Sequence, residues 1–154
     1  MLDVGCGTAR LVHAAAQRYP FAIGLDPCLD MLEAGRRREA SADRVLVCAM
    51  AEQLPFATGT FAVVTSTLSI RHWEDPIRGL EELARVLSET GTLVIADSAP
   101  NPWPPSKHRL RRRRRDGGPL GRMATRCGLA VIDERVAPRL FEVHVLVCRR
   151  RTGP

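Results

Sequence analysis

The feature that most constrains this chain is its first turn. An apolar segment, Met1-Leu2-Asp3-Val4, runs straight into Gly5-Cys6-Gly7-Thr8, and apolar residues at helical spacing follow at Leu11, Val12, Ala15, Ala16 and Tyr19. A strand that turns into a helix within four residues, through two glycines, is the opening of a βα unit over a parallel sheet. Thr8 is placed to cap that helix, which the spacing carries to about Tyr19.

The rest of the first half repeats the alternation. Phe21 to Leu25 reads as a second strand, followed by a helix starting at Cys28 or Asp30 with Met31 and Leu32 inward and Arg36, Arg37 and Arg38 outward. Arg44–Cys48 and Phe61–Thr65 read as strands three and four. Asp75-Pro76 marks a helix start, a capping carboxylate followed by proline at the first helical position. Ile77, Leu80, Leu83, Ala84 and Leu87 form its inward stripe, Thr90-Gly91 ends it, and Thr92 to Asp97 is a fifth strand. Residues 98–119 carry Pro100, Pro102, Pro104 and Pro105 and the run Arg109 to Arg115, a basic, proline-rich loop. A helix from Leu120 to Cys127, closed by Gly128, precedes two last strands at Leu129–Val136 and Phe141–Cys148. The sum is a single domain over 1–154: a Rossmann-like, open, mostly parallel α/β sheet of about seven strands with helices on both faces.

Composition narrows the function classes. At 45% hydrophobic the chain can bury a core, while no apolar run approaches the roughly 20 residues of a membrane helix. No charged head, apolar stretch and cleavage site open the sequence, so a cytoplasmic location is expected. Five cysteines, without a C-x-x-C pair, argue against a disulfide framework and a thiolate metal site; reduced, mostly buried thiols are expected, and no metal. The net charge of +6 is almost all arginine, Lys107 being the only lysine, which reflects coding-sequence composition as readily as function.

A strand, glycine turn and helix start offer a ligand close backbone approach and unpaired N–H groups. A dinucleotide fingerprint would require glycine at position 10, where Arg10 stands. An acidic residue, Asp26, ends the second strand 19 residues past Gly7, near the roughly 20-residue separation at which one nucleotide spans both loops. Its two oxygens suit a pair of adjacent ribose hydroxyls.

Leu2-Asp3-Val4-Gly5-Cys6-Gly7-Thr8-Ala9 resembles the first motif of class I S-adenosylmethionine-dependent methyltransferases, specifically the group that includes the ubiquinone and menaquinone biosynthesis enzymes (methyltransferase type 11). Three more segments agree in order: Gly24-Leu25-Asp26-Pro27-Cys28-Leu29-Asp30-Met31-Leu32, then Ala51-Glu52-Gln53-Leu54-Pro55-Phe56 with Phe61-Ala62-Val63-Val64, then Leu83-Ala84-Arg85-Val86-Leu87 before Gly91. The resemblance implies that Asp3, Gly5, Cys6 and Gly7 hold the methionine part of the cofactor S-adenosyl-L-methionine. It further implies Asp26 and Pro27 at the ribose, Met31 near the adenine, Ala51 and Glu52 beside it, and Thr67 and Leu68 near the transferred methyl. Relatives often carry glycine where Ala9 stands, aspartate where Met50 stands and aspartate where Ala62 stands. They also carry helices upstream, whereas Met1 begins inside the expected central strand, so the resemblance implies a chain truncated at its N-terminus.

A sulfonium methyl is already an activated electrophile, so alignment and water exclusion carry most of the catalysis and no strong catalytic signature is required. Of the loop Ser66 to Trp73, His72 is the one plausible titrating group and reads as a polar loop contact; Trp73 reads as packing, and no catalytic base is assigned. The Arg109–Arg115 run lacks interleaved aromatics and an amphipathic helix, so it reads as a solvated loop rather than a nucleic-acid or membrane surface. The expected function is methyl transfer to a small-molecule acceptor. Two other readings stand beside it: a non-catalytic cofactor-binding remnant or partner subunit, and a basic nucleic-acid-binding protein on the same fold. The sequence gives no acceptor identity and no oligomeric state.

Overall fold

The computed structural model describes residues 1–38, 44–98, 118–138 and 142–151. The chain forms β1 (Leu2–Val4), α1 (Arg10–Ala15), β2 (Ala22–Asp26), α2 (Leu29–Arg38), β3 (Arg44–Cys48), β4 (Phe61–Thr67), a 3-10 turn at Ile70–His72, α3 (Pro76–Val86), β5 (Leu87–Ser98), α4 (Gly118–Arg126), β6 (Leu129–Pro138) and β7 (Glu142–Arg150). The strands make one seven-stranded sheet in the order β3-β2-β1-β4-β5-β7-β6. The first five run parallel, and β7 inserts antiparallel between β5 and β6. The expected open, mostly parallel Rossmann-like sheet is what the chain folds into. Its order reverses between β1 and β4, so a crevice opens at the carboxyl ends of these strands.

Side-chain alternation sends the two sheet faces into separate cores. Leu2, Val4, Leu25, Val64, Leu93, Ile95 and Leu146 pack under α3 and α4. On the other face, Ala22 packs with Ala9, Val12 and Ala15 of α1 and its N-terminal end, with Leu46 against them. Helices therefore cover both faces. Gly35 lets α2 lie close on the first turn, since a Cβ there would stand 3.1 Å from the Thr8 carbonyl. No helix among the described residues is long and apolar enough to cross a membrane.

Several sequence expectations are corrected. Thr8 does not cap α1; Ala9 occupies the cap in a left-handed conformation, φ 58°, with no side-chain hydrogen bond. The helix ends at Ala15, four residues before Tyr19, and Leu11 and Tyr19 are exposed, because only the Val12–Ala15 side meets the sheet. Phe21 precedes β2 and is 78% exposed. Met31 faces out while Leu32 is fully buried. Strand β4 extends to Thr67, and Ile77 lies at the rim rather than inside. Helix α3 stops at Val86, because Leu87 already partners Phe61; Thr90 and Gly91 fall inside β5. Ser98 belongs to β5, and Gly118 and Pro119 belong to α4; the remainder of the 98–119 loop, with Arg109–Arg115, lies outside the described residues, as does Phe141. Of the cysteines, Cys127 and Cys148 are buried and Cys6 half-buried, but Cys28 and Cys48 are exposed.

Asp75 caps α3 as expected, its Oδ1 accepting from the amides of Ile77 and Arg78 at 3.0 Å each. Gly128 closes α4 at φ 80°.

Candidate functional site

The first turn folds back on the end of β2. Gly5 at φ 75° and Gly7 at φ 53° bend the chain, and the Gly5 and Cys6 amides both donate to the Leu25 carbonyl, at 2.8 and 3.0 Å. A Cβ on Gly5 would collide with Ser69 Oγ, 1.8 Å away, so glycine is required here by conformation and by space. In front of Gly7 a Cβ would meet nothing within 4 Å.

Asp26 ties the two loops together. Its Oδ2 accepts from the Gly7 amide at 2.8 Å and its Oδ1 from the Cys28 amide at 2.9 Å. A carboxylate offers about four lone-pair positions, so one on each oxygen remains for further donors. Pro27 follows, its carbonyl 3.5 Å from Cys48 Sγ.

Asp3 stands beneath the turn on the central strand, between Gly24 of β2 and Thr65 of β4. It is 3% exposed and accepts from Thr65 Oγ1 at 2.7 Å. Burial pushes its carboxyl up to about 6; the Thr65 hydrogen bond opposes that shift and the Asp26 charge adds to it. Burial and the same two carboxylates push the Cys6 thiol up to about 12, so Cys6 is an inert neighbour rather than a nucleophile. A buried carboxylate with no cation beside it among the described residues is a natural counter-charge for a cationic ligand.

Beyond β3, Ala51 is buried and Met50 exposed; Glu52 Oε1 accepts from the Asp75 amide at 3.1 Å. What fixes this loop is a pair that the sequence reading missed. Glu82 accepts from the Leu54 amide at 2.8 Å and from Arg85, whose guanidinium also donates to the Leu54 and Phe56 carbonyls. Arg85 holds the Glu82 carboxyl below its ordinary range. In the sequence this is an ordinary i,i+3 pair on a helix; only the fold reveals that it clasps the loop.

After β4, Leu68 takes a left-handed backbone, φ 54°, and its amide donates to the Ala96 carbonyl at 2.7 Å. Thr67 and Leu68 are both exposed at the carboxyl edge. Asp97, 3% exposed, accepts from the Ile70 amide at 2.9 Å and pairs with Arg71 at 3.6 Å. Trp73 lies on Gly79 and donates to Ser69 Oγ at 2.9 Å, fixing the serine that faces Gly5. His72 Nε2 accepts from Arg71 Nε at 3.1 Å. No group of three or more metal-ligating side chains occurs among the described residues.

The strand order and these contacts bring Asp3, Gly5, Cys6, Gly7, Asp26 and Pro27 together around one turn. Ala51 and Glu52 stand on the loop beyond β3, and Thr67 and Leu68 at the end of β4, all at the same sheet edge. Met31 is 47% exposed in the first turn of α2, where it is free to cover a ligand.

A family described as a methyltransferase domain matches residues 2–95. A demethylmenaquinone methyltransferase of Clavibacter sepedonicus is 39% identical over 105 residues, covering 68% of this chain and 43% of that protein. The chain therefore spans less than half the length of this curated relative. Among solved structures, an S-adenosylmethionine-dependent methyltransferase of Mesorhizobium loti superposes with a TM-score of 0.77 at 18% identity, over 97% of this chain and 90% of that one. The cyclase SpnF superposes with a TM-score of 0.78 at 18% identity, over 99% and 75%. At these identities the structural likeness shows the fold, which serves more than one chemistry.

Proposed function

The chain belongs to the methyltransferase-domain family, and from that premise we propose that it binds S-adenosylmethionine at the crevice between β1 and β4 and transfers its methyl group to a small-molecule acceptor. The observation that carries the reading is Asp26, held by Gly7 and Cys28 with a lone pair free on each oxygen. Two adjacent ribose hydroxyls are the donors that such an acceptor pair suits.

The residues present fit the cofactor. The open space before Gly7 admits a ligand against the backbone, and the raised carboxyl of Asp3 suits a ligand bearing positive charge. Met31 offers an apolar surface for an adenine ring, and the Ala51–Glu52 loop, clasped by Glu82 and Arg85, supplies the other side. When bound, S-adenosylmethionine supplies a methyl carbon already activated by its sulfonium. The chain's own work is to hold that carbon near Thr67 and Leu68, orient the acceptor behind it and keep water out. A relative named for demethylmenaquinone favours a hydroxylated, quinol-like aromatic acceptor for this chain too.

One observation favours a second reading, a cofactor-binding domain without transfer. Met50 stands exposed where an acceptor for the adenine amine is expected, which weakens the grip by about tenfold. Incubation with methyl-labelled S-adenosylmethionine and 1,4-dihydroxynaphthalene separates the two: labelled naphthalene product supports transfer, and cofactor binding without product supports the second reading.

A further inference from the structure

Beyond Asp97 the carboxyl edge continues onto a second polar pair that the site described above does not use. In the antiparallel ladder Asp97 is the partner of His144, and His144 is in turn the partner of Val136 on β6. Cross-strand partners share a face, and Glu134 lies two residues from Val136, so Asp97, His144 and Glu134 all project from the face that α3 and α4 cover. Glu134 Oε1 lies 3.2 Å from His144 Nδ1, with the carboxylate side chain 7% and the imidazole 20% exposed. The start of α4 closes over the carboxylate, a Cβ on Gly118 standing 3.9 Å from Oε1. The second oxygen, Oε2, is buried with no hydrogen-bond partner among the described residues.

A buried carboxylate beside one ring nitrogen fixes the imidazole's orientation and tautomer. With Nδ1–H directed at Glu134, Nε2 is the basic nitrogen, and no described residue bonds to it. Such an arrangement holds the ring in one orientation with its second nitrogen available to a proton donor, the geometry from which general bases are built. A purely structural ion pair would satisfy both carboxylate oxygens; here no described residue bonds to Oε2, and the imidazole is partly open. Among the described residues, Asp97 and, through Asp97, Arg71 also face it.

We propose that Glu134 and His144 form an acid–base pair on the acceptor side of the site, taking the proton of an ionisable hydroxyl on an aromatic acceptor lying across the ends of β4, β5 and β7. This rests on the transfer reading above and adds to it the proton's destination. Thr67 partners Ala96, and Ala96 partners Val145, the neighbour of His144, so the His144 backbone lies two strand spacings from the end of β4, roughly 10 Å. Its side chain is on the sheet face opposite that of Thr67, and the acceptor lies over the strand ends between them. A fused-ring acceptor and the imidazole side chain together span that gap. The acceptor's O–H bond breaks and its proton goes to Nε2. The electron pair left on that oxygen forms the new oxygen–methyl bond, and the methyl–sulfur bond breaks with its pair staying on sulfur. The imidazolium then returns its proton to solvent.

The test uses the full chain and 1-naphthol as the probe, with and without S-adenosylhomocysteine. The chain has four histidines, so their ring nitrogen signals are assignable by single substitution. Naphthol is expected to move the His144 ring signals most, and His144→Gln and Glu134→Gln to weaken naphthol binding about tenfold while leaving S-adenosylhomocysteine binding unchanged. Unmoved His144 signals, or naphthol binding equal in wild type and His144→Gln, overturn the inference. Failure of S-adenosylhomocysteine to bind the wild-type chain, with naphthol still moving His144, counts instead against the cofactor reading. Unchanged cofactor binding in both variants also shows that they fold.

Discussion

The Gly7 amide donates to Asp26 Oδ2 at 2.8 Å, closing a contact between residues 19 positions apart. That bond makes the first turn and the end of β2 one object. Because Cys28 holds the other oxygen, the carboxylate is locked by its own backbone rather than by a side-chain partner. A ligand that meets it finds the acceptors already oriented, which lowers the ordering cost of binding.

The two glycines of the first turn should differ sharply. Gly7→Ala is expected to cost the roughly 1–2 kcal/mol of a left-handed non-glycine residue, because nothing stands in its way. Gly5→Ala adds the collision with Ser69 and should cost clearly more. Urea unfolding measures both; equal midpoints would contradict the close approach of Ser69 to Gly5.

Asp3 sets a pH dependence. Its folded pKa, about 6, lies above the ordinary value of 3.8, so the folded state prefers the protonated form. Its stabilising contribution is full below pH 3.8 and lost as pH rises through 6, an effect of up to about 3 kcal/mol in the ligand-free protein. Asp3→Asn should raise the melting temperature at pH 7.5 and remove this component of the pH profile. A variant less stable than wild type at pH 7.5 would show that the carboxylate is not held at a cost.

Glu82 should behave oppositely. Arg85 holds its carboxyl low, so its contribution is present at neutral pH and is lost as pH falls toward the carboxylate range. Glu82→Gln removes the charge that Arg85 and the Leu54 amide share and is expected to cost on the order of 3 kcal/mol. The same variant should weaken S-adenosylhomocysteine binding through the loosened Ala51–Phe56 loop, read by calorimetry. An unchanged unfolding midpoint would mean that the clasp is incidental.

The thiols divide by exposure. Cys28 and Cys48 should react quickly with a chromogenic disulfide reagent, while Cys6, Cys127 and Cys148, each with its pKa raised by burial, wait for unfolding. Mass mapping that found Cys6 among the first labelled would contradict the packing of the first turn.

What the sequence disclosed is what local rules govern. Asp75-Pro76 declared the start of α3 because a cap is decided within four residues. Gly5, Gly7 and Asp26 declared themselves through spacing, and the fold joins them. The end of α3 was not legible, since Leu87 fits the helical stripe and also the strand that its partner Phe61 makes of it. Thr8 looked like the cap because its side chain suits one; the turn instead puts Ala9 in the left-handed position. Glu82–Arg85 and Glu134–His144 stayed hidden for a shared reason. Each depends on a partner brought in by topology, the loop after β3 in one case and the insertion of β7 beside β6 in the other.

The most direct test of the account is calorimetric titration of the wild-type chain and Asp26→Ala with S-adenosylhomocysteine. Saturable binding to the wild type, weakened roughly 10- to 100-fold in the variant, is the predicted result. Absence of heat at millimolar ligand, or equal affinity in the two proteins, would contradict the claim that the glycine turn and Asp26 grip one adenosyl ligand.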